Sequence, residues 1–303
     1  MTQLISPQDF NDVTSLLRTF FSDQKDFLEV HTQNRLSILA ACEDPTTVAT
    51  MEYNGQIWPL PQTGQMWLEY ELLTRPEISG CYCLSTSYRA EDNPIAGRHD
   101  TIFPMFEFES LGNFDDLLHL ESELLTFLGF TNTHHLNYEN TQFPGGRYLG
   151  VCAKLSAQDN DLTANHEKHL YDEYGDVFFL THFPFSTSPF WNMKHGVSVE
   201  TVGVLDNMIP VDKKADVALK ADVIIGGMET IGSAERETDV QTMKEQFYSI
   251  SNGEYAELLF KLFGKDRVNL ELFEFLTHDF KPRYGGGIGI TRLIAGMKKA
   301  GLM

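Results

Sequence analysis

Between Gly80 and Glu109 the chain carries two alternating runs, residues 80–88 and 103–109, separated by a polar stretch that contains Asp92-Asn93-Pro94. Period-two runs on either side of turn-forming residues read as the arms of a β-hairpin. This constrains the fold strongly, because hairpin arms pair antiparallel whereas parallel neighbours need a long crossover. Further strand-like segments lie at 148–155, 177–182, 195–204 and 222–228. Around them run segments of helical period. Ser6-Pro7-Gln8-Asp9 reads as a helix start with proline at the first helical position. Phe10, Val13, Leu16, Leu17, Phe20 and Phe21 follow at helical spacing. A second helix is expected over 113–128, from Phe114, Leu117, Leu118, Leu124, Leu125 and Leu128. A third spans 243–263 with a break near Asn252-Gly253, and the last begins near Thr291. The order is not a regular βαβ alternation, so the expected class is α+β, an antiparallel sheet with helices packed on it. With no internal repeat, low-complexity tract or long linker, residues 1–303 are expected to form one domain.

Of the 303 residues 42% are hydrophobic, enough for a sizeable core. No run of 18 apolar residues occurs, so no spanning helix and no membrane partner are expected. The start, MTQLISPQDFNDV, lacks the basic and apolar regions of a signal peptide. Cys42, Cys81, Cys83 and Cys152 form no CxxC pair, and together these features point to a reducing cytoplasm. The net charge of −20 disfavours a nucleic-acid partner, because phosphate contacts from a basic face supply most of such affinity. A solvated acidic surface accounts for the charge as well.

Two arginines far apart in sequence carry the chemistry. Arg89, at the end of the first hairpin run, can reach an α-phosphate, where charge builds when a carboxylate attacks. Glu91 can accept from an adenine amino group, Phe103 can stack on the base, and Arg98 and His99 stand in a loop able to close over outer phosphates. A surface hairpin with ordinary ion pairs fits the same residues. The second arginine, Arg292, follows a glycine-rich run, Gly285 to Gly289, in which glycine lets the backbone pass close to a ligand. That run lies too near the chain end for a dinucleotide-binding βαβ unit. A third segment, ADVIIGGMETIGSAER, sets Asp222 and Glu229 seven apart across Gly226-Gly227, with Arg236 seven further on. Two carboxylates on neighbouring strands suit Mg²⁺, which takes hard oxygen ligands. A glycine-rich turn with solvated charges is the plain alternative.

Together these segments resemble the signature motifs of class II aminoacyl-tRNA synthetases, in the aspartyl, asparaginyl and lysyl group. Tyr88-Arg89-Ala90-Glu91 is similar to the FRAE of asparaginyl enzymes and Arg98-His99 to their RH. Phe103, Glu107 and Glu109 fall on the stacking Phe and the acidic pair after it. Residues 285–293 resemble motif 3, with Arg292 as its arginine. Asp222, Glu229, Ser233 and Arg236 match the metal-carboxylate and substrate-arginine pattern in spacing. Cys42-Glu43 resembles CEG, QTGQMWLE resembles SGQLYLE with Gln65 as a substrate contact, and FPFSTSPFW resembles the YPxxxxPFY segment. Leu68 stands where an aspartyl enzyme has lysine, which favours the asparaginyl branch. The resemblance covers about residues 25–303.

It implies an antiparallel six-stranded sheet flanked by helices, a homodimer, and AMP-forming adenylation of aspartate or asparagine with ATP and Mg²⁺. In that scheme Arg89 and Arg292 are catalytic. Glu91, Arg98, His99, Phe103, Glu229 and Gly289 complete the ATP site, and Asp222 and Glu229 hold the metal. Glu43, Gln65, Glu107 and Arg236 bind the amino acid. The chain also departs from the pattern. Gln33 replaces the proline of motif 1, Arg283 replaces a histidine, Thr291 replaces the glutamate before the motif 3 arginine, and Ile102 replaces the glutamate before Phe103. No anticodon-binding domain precedes the catalytic pattern. That and the acidic charge disfavour tRNA; stand-alone catalytic-domain relatives of this family include ammonia-using asparagine synthetases, so the resemblance implies ammonia as the acceptor, giving asparagine. Transfer of asparagine to a small amine, peptide, carrier or tRNA is the alternative, and a non-catalytic regulatory paralogue is the reading from another class.

Overall fold

The computed structural model describes residues 5–32, 35–41, 45–95, 100–134, 136–158, 161–202 and 209–303. In chain order the elements begin α1 (Pro7–Arg18), β1 (Leu28–Glu29), β2 (Thr50–Tyr53), β3 (Gln56–Pro59), α2 (Gln65–Thr74), β4 (Gly80–Tyr88) and β5 (Ile102–Leu111). There follow α3 (Phe114–Phe127), β6 (Gly145–Arg147), α4 (Tyr148–Leu155), α5 (Ala164–Tyr174), β7 (Val177–Pro184), β8 (His195–Val202), β9 (Ile209–Ile225) and β10 (Met228–Glu235). The chain ends with α6 (Val240–Ser249), α7 (Glu254–Phe263), α8 (Lys265–Leu276), β11 (Arg283–Gly289) and α9 (Ile290–Lys299). These fall into two compact units. The first comprises Met1–Leu111, Phe190–Asn192 and Glu237–Gly287, and the second Gly112–Pro189, Met193–Arg236 and Ile288–Met303.

In the first unit the hairpin forms as its alternation predicts, with Gly80 opposite Ser110 and Tyr88 opposite Ile102 in an unbroken antiparallel register. β1 adds to β4 in parallel, and β11 lies beside β5. The period of two sends Phe106 and Phe108 to one face of β5, where both rings lie about 5 Å from Phe21. Glu107 and Glu109 go to the other face, and both are buried. α1 begins where expected, with the Ser6 hydroxyl accepting from the Asp9 N–H. A separate apolar cluster joins Trp191 to Met243, Phe247, Tyr255, Leu259, Leu272 and Phe275 of α6, α7 and α8. The break expected near Asn252-Gly253 is real, since Ser251 and Asn252 adopt left-handed backbone between α6 and α7.

In the second unit β9 pairs antiparallel with β7, β8 and β10, and β6 joins β7 in parallel. α3 starts at Asn113 in a capping box with Asp116. The sheet strands are mostly antiparallel, as expected. They outnumber six because two-residue β1, three-residue β6 and the arm β8 are added. One segment differs in kind: 148–155, read as a strand, is the helix α4. Its buried Tyr148, Val151 and Cys152, with partly buried Leu155, recur at positions one, four, five and eight, the stripe of a helix. Helices α2, α5 and α8 differ from the sequence expectation as well; in α2 the buried side chains, Glu69 and Glu71 among them, lie on no single stripe.

Candidate active site

The first unit carries the hairpin candidates. Arg89 follows β4 directly, its backbone N–H donating to Thr101 O at 2.8 Å. Its guanidinium lies over the Phe103 ring, 5.3 Å from the centroid. Cation–π geometry of this kind holds the arginine and the aromatic as one platform, and the register that sets Ser87 opposite Phe103 brings them together. Glu91 is half-buried just beyond. Arg98 and His99, and likewise Glu43 and Gln33, lie outside the described residues.

Glu107 is fastened into the start of α2. Its carboxylate accepts from the Thr63 and Ser85 hydroxyls and, at 2.7 Å, from the Gly64 N–H. Gly64 is the N-cap of α2, where an anion meets unsatisfied N–H groups and the positive end of the helix dipole. Gln65, the first residue of α2, donates its own N–H to Thr63 Oγ1 at 3.1 Å. Thr63 therefore links the two amino-acid candidates Glu107 and Gln65. Thr63 and Ser85 were not picked out from the sequence, since hydroxyls in a turn and a strand have no distinguishing local pattern.

The glycine run serves β5 before it serves any ligand. A side-chain carbon on Gly285 would lie 2.1 Å from Glu109 Cδ and 2.4 Å from Phe108 O, so only glycine fits. Arg283, which stands in place of histidine, is fully buried. It donates to Glu69 Oε2 through Nε at 3.0 Å and Nη2 at 2.6 Å, and to Glu237 O at 3.1 Å. The other Glu69 oxygen accepts from Asn192 Nδ2 at 2.6 Å.

The second unit carries the remaining candidates. On β9 the side chains of Lys220, Asp222 and Ile224 share one face, and in an antiparallel pair their opposite numbers share it too. Gly232 faces Asp222 and Glu229 faces Ile224, but only because a bulge intervenes between Glu229 and Ile231. Without that extra residue Glu229 would turn to the opposite face. The bulge thus gathers Asp222 and Glu229. A side-chain carbon on Gly232 would lie 3.5 Å from Glu229 Oε1 and 3.6 Å from Asp222 Oδ1. Arg292, in the first turn of α9, donates from Nη1 to Glu229 O at 2.7 Å. Gly289 is the residue before α9, and a side-chain carbon there would meet Arg292 and Thr230 at ordinary contact distance. Arg236 is buried just after β10, its backbone bridged to Met193.

A third charge stands on this face. The Lys220 ammonium donates to Asp222 Oδ2 at 2.8 Å and lies 4.0 Å over the Phe183 ring. Burial pushes the Asp222 carboxyl up, and the Lys220 charge opposes that shift. The sequence reading placed Mg²⁺ on Asp222 and Glu229. The pair fits a resident ion poorly, because an ammonium already holds one carboxylate. Among the described residues no group of three His, Cys, Asp or Glu side chains converges as a metal site. Lys220 could have been found from its spacing, two residues before Asp222 on a strand. The two histidines of α5 act locally, His166 Nδ1 accepting from the Thr163 N–H at 3.0 Å and His169 lying near Glu173.

The sequence is similar to known proteins over most of its length. It is 24% identical over 282 residues to the asparagine–tRNA ligase of Pelotomaculum thermopropionicum, a match covering 84% of this chain and 57% of that one. It is 23% identical to the aspartate–tRNA(Asp) ligase of Thermoplasma volcanium, covering 94% of this chain and 63% of the relative. The chain thus spans about three-fifths of the length of these relatives. The fold is that of asparaginyl-tRNA synthetase from Pyrococcus horikoshii complexed with asparaginyl-adenylate, at a TM-score of 0.66, 20% identity and coverage of 95% of this chain and 65% of that one. The Entamoeba histolytica asparaginyl-tRNA synthetase matches at a TM-score of 0.68 and 17% identity, over 97% of this chain and 64% of the other. The family model of class II tRNA synthetases (D, K and N) matches residues 8–301, and the chain belongs to that family.

Proposed function

We propose that this chain is an AMP-forming ligase that adenylates aspartate and passes the activated carboxyl to ammonia, producing asparagine. The observation that carries the reading is the platform at the end of the hairpin, where Arg89 lies over Phe103 within a chain matched to the class II family from residue 8 to 301. A carboxylate oxygen of the amino acid attacks the α-phosphorus of ATP, and the bond to the leaving pyrophosphate breaks. The carboxylate is already ionised at neutral pH, so this step needs no general base. Catalysis is then positioning together with stabilisation of charge on the α-phosphate, the part given to Arg89 and Arg292. Phe103 and Glu91 hold the adenine, with Arg98, His99 and Gly289 completing the nucleotide contacts. Mg²⁺ carried by the ATP would offset phosphate charge. Gln65 and Glu43 hold the ammonium end of the amino acid, Arg236 reads a side-chain oxygen, and Glu107 keeps the Gln65 turn in place. In the second step the ammonia nitrogen attacks the activated carbonyl carbon, AMP leaves, and nitrogen loses a proton.

A second reading has its own support. The two relatives named above are tRNA ligases, so asparagine activation followed by transfer to a tRNA end or another amine uses the same first step. Exchange of labelled pyrophosphate into ATP, run with each of the two amino acids, separates the readings. Aspartate should support exchange, and added ammonia should then release asparagine and AMP in equal amounts. Exchange with asparagine alone removes the ammonia reading and favours transfer. Exchange with neither removes both, leaving a non-catalytic paralogue. Arg89→Ala and Arg292→Ala should each slow exchange about 100-fold or more while leaving the thermal unfolding profile in place.

A further inference from the structure

Of the two carboxylates on β9 and β10, Asp222 already has a cationic partner in a side chain of this protein. Lys220, Asp222 and Glu229 are set on one sheet face by the β9–β10 register and its bulge. The ammonium donates to Asp222 Oδ2 at 2.8 Å and lies 4.0 Å over the Phe183 ring. Asp222 is buried, and its second oxygen, Oδ1, has no hydrogen-bond partner among the described residues. Glu229 Oε1 points to the same spot above Gly232 as that oxygen does. The Arg292 guanidinium is anchored on the backbone carbonyl of Glu229 itself. The Lys220 ammonium and the Arg292 guanidinium therefore stand beside the two carboxylates, and Glu167 adds a third negative charge that acts on Asp222. A divalent cation entering here would have to approach an ammonium already seated on one of its two ligands, and like charges at such separations repel strongly where water is scarce.

We propose that the Lys220 ammonium is the built-in cation of the Asp222–Glu229 pair, seated on Asp222 Oδ2 and supplying the positive charge that a divalent ion would otherwise bring. The side chain then presents a fixed positive charge to a nucleotide phosphate, as a lysine does at other phosphate sites. Any Mg²⁺ arriving with ATP is held by the phosphates alone. The proposal rests on the adenylation reading for its nucleotide, but the charge arrangement exists without one, and the test uses both conditions.

The experiment is a Mn²⁺ titration of the full chain followed by electron paramagnetic resonance of the free ion, with and without a non-hydrolysable ATP analogue. With the analogue, the wild-type chain should bind one Mn²⁺ per nucleotide, and Asp222→Asn should leave that count unchanged. Lys220→Met should uncover the carboxylates, raising Mn²⁺ affinity about tenfold or more without nucleotide and adding a second Mn²⁺ with it. Asp222→Asn in the Lys220→Met background should remove the gain. Lys220→Gln, which keeps a polar partner for Asp222, stands in if Lys220→Met does not fold and should show the same gain. Lys220→Arg, which keeps the charge, should show none. The proposal fails if the wild type binds a Mn²⁺ that Asp222→Asn abolishes, or if neither neutral variant gains a site. Failure to bind the analogue would overturn the adenylation reading instead, and the nucleotide-free titrations would still decide the role of Lys220.

Discussion

Glu121 sits in α3 with its carboxyl fully buried, and burial pushes it up to about 8 from the ordinary 4.5. At neutral pH the native protein therefore keeps Glu121 protonated, while the unfolded chain would ionise it. The native state then binds more protons than the unfolded state between about 4.5 and 8, so this residue lowers stability as pH rises through that window. Replacing it with glutamine removes the titration and keeps the size. Glu121→Gln should stabilise the protein on the order of a few kcal/mol at pH 8, with little difference near pH 4.5. Melting curves from pH 5 to 8.5 check this, and two parallel Tm profiles would contradict it. Asp222 contributes to the same raised state, which ties the α3 carboxyl electrically to the Lys220 site.

Between elements, the buried pair of Glu69 on α2 and Arg283 at the start of β11 accounts for the arginine where the family has histidine. Arginine reaches both Glu69 and the Glu237 carbonyl from a planar fork, which an imidazole cannot do. Removing one partner leaves a charge buried alone. Glu69→Ala should cost roughly 3–5 kcal/mol in denaturant unfolding, whereas the double change Glu69→Leu with Arg283→Met should cost much less. Equal losses in the two variants would show that the pair does more than balance itself. The same scale separates readable elements from unreadable ones. α3 announces itself through Asn113, Asp116 and its leucine stripe, and β4–β5 through strict alternation. α4 was misread because its eight residues offer too short a run to tell a period of two from one of 3.6.

For the whole molecule, the family resemblance implies a homodimer even with Gln33 in place of the motif 1 proline. Sedimentation velocity should show a single species of twice the chain mass, and one of the chain mass would show that this substitution ends pairing. The sequence by itself determined the α+β class, the hairpin, the first and third helices, the break between α6 and α7, and the family. All of these depend on spacings of two to four residues, or on motifs whose order along the chain is enough. It also singled out Arg89 with Phe103 and Asp222 with Glu229, from the motifs that carry them and their order along the chain. Only the tertiary structure decided that Glu107 is fastened to the start of α2, that the glycine run makes room for Glu109, and that Glu229 shares the face of Lys220 and Asp222. Those outcomes depend on which strand face each residue meets. A single bulged residue between Glu229 and Ile231 changes that face, and no local spacing encodes the bulge.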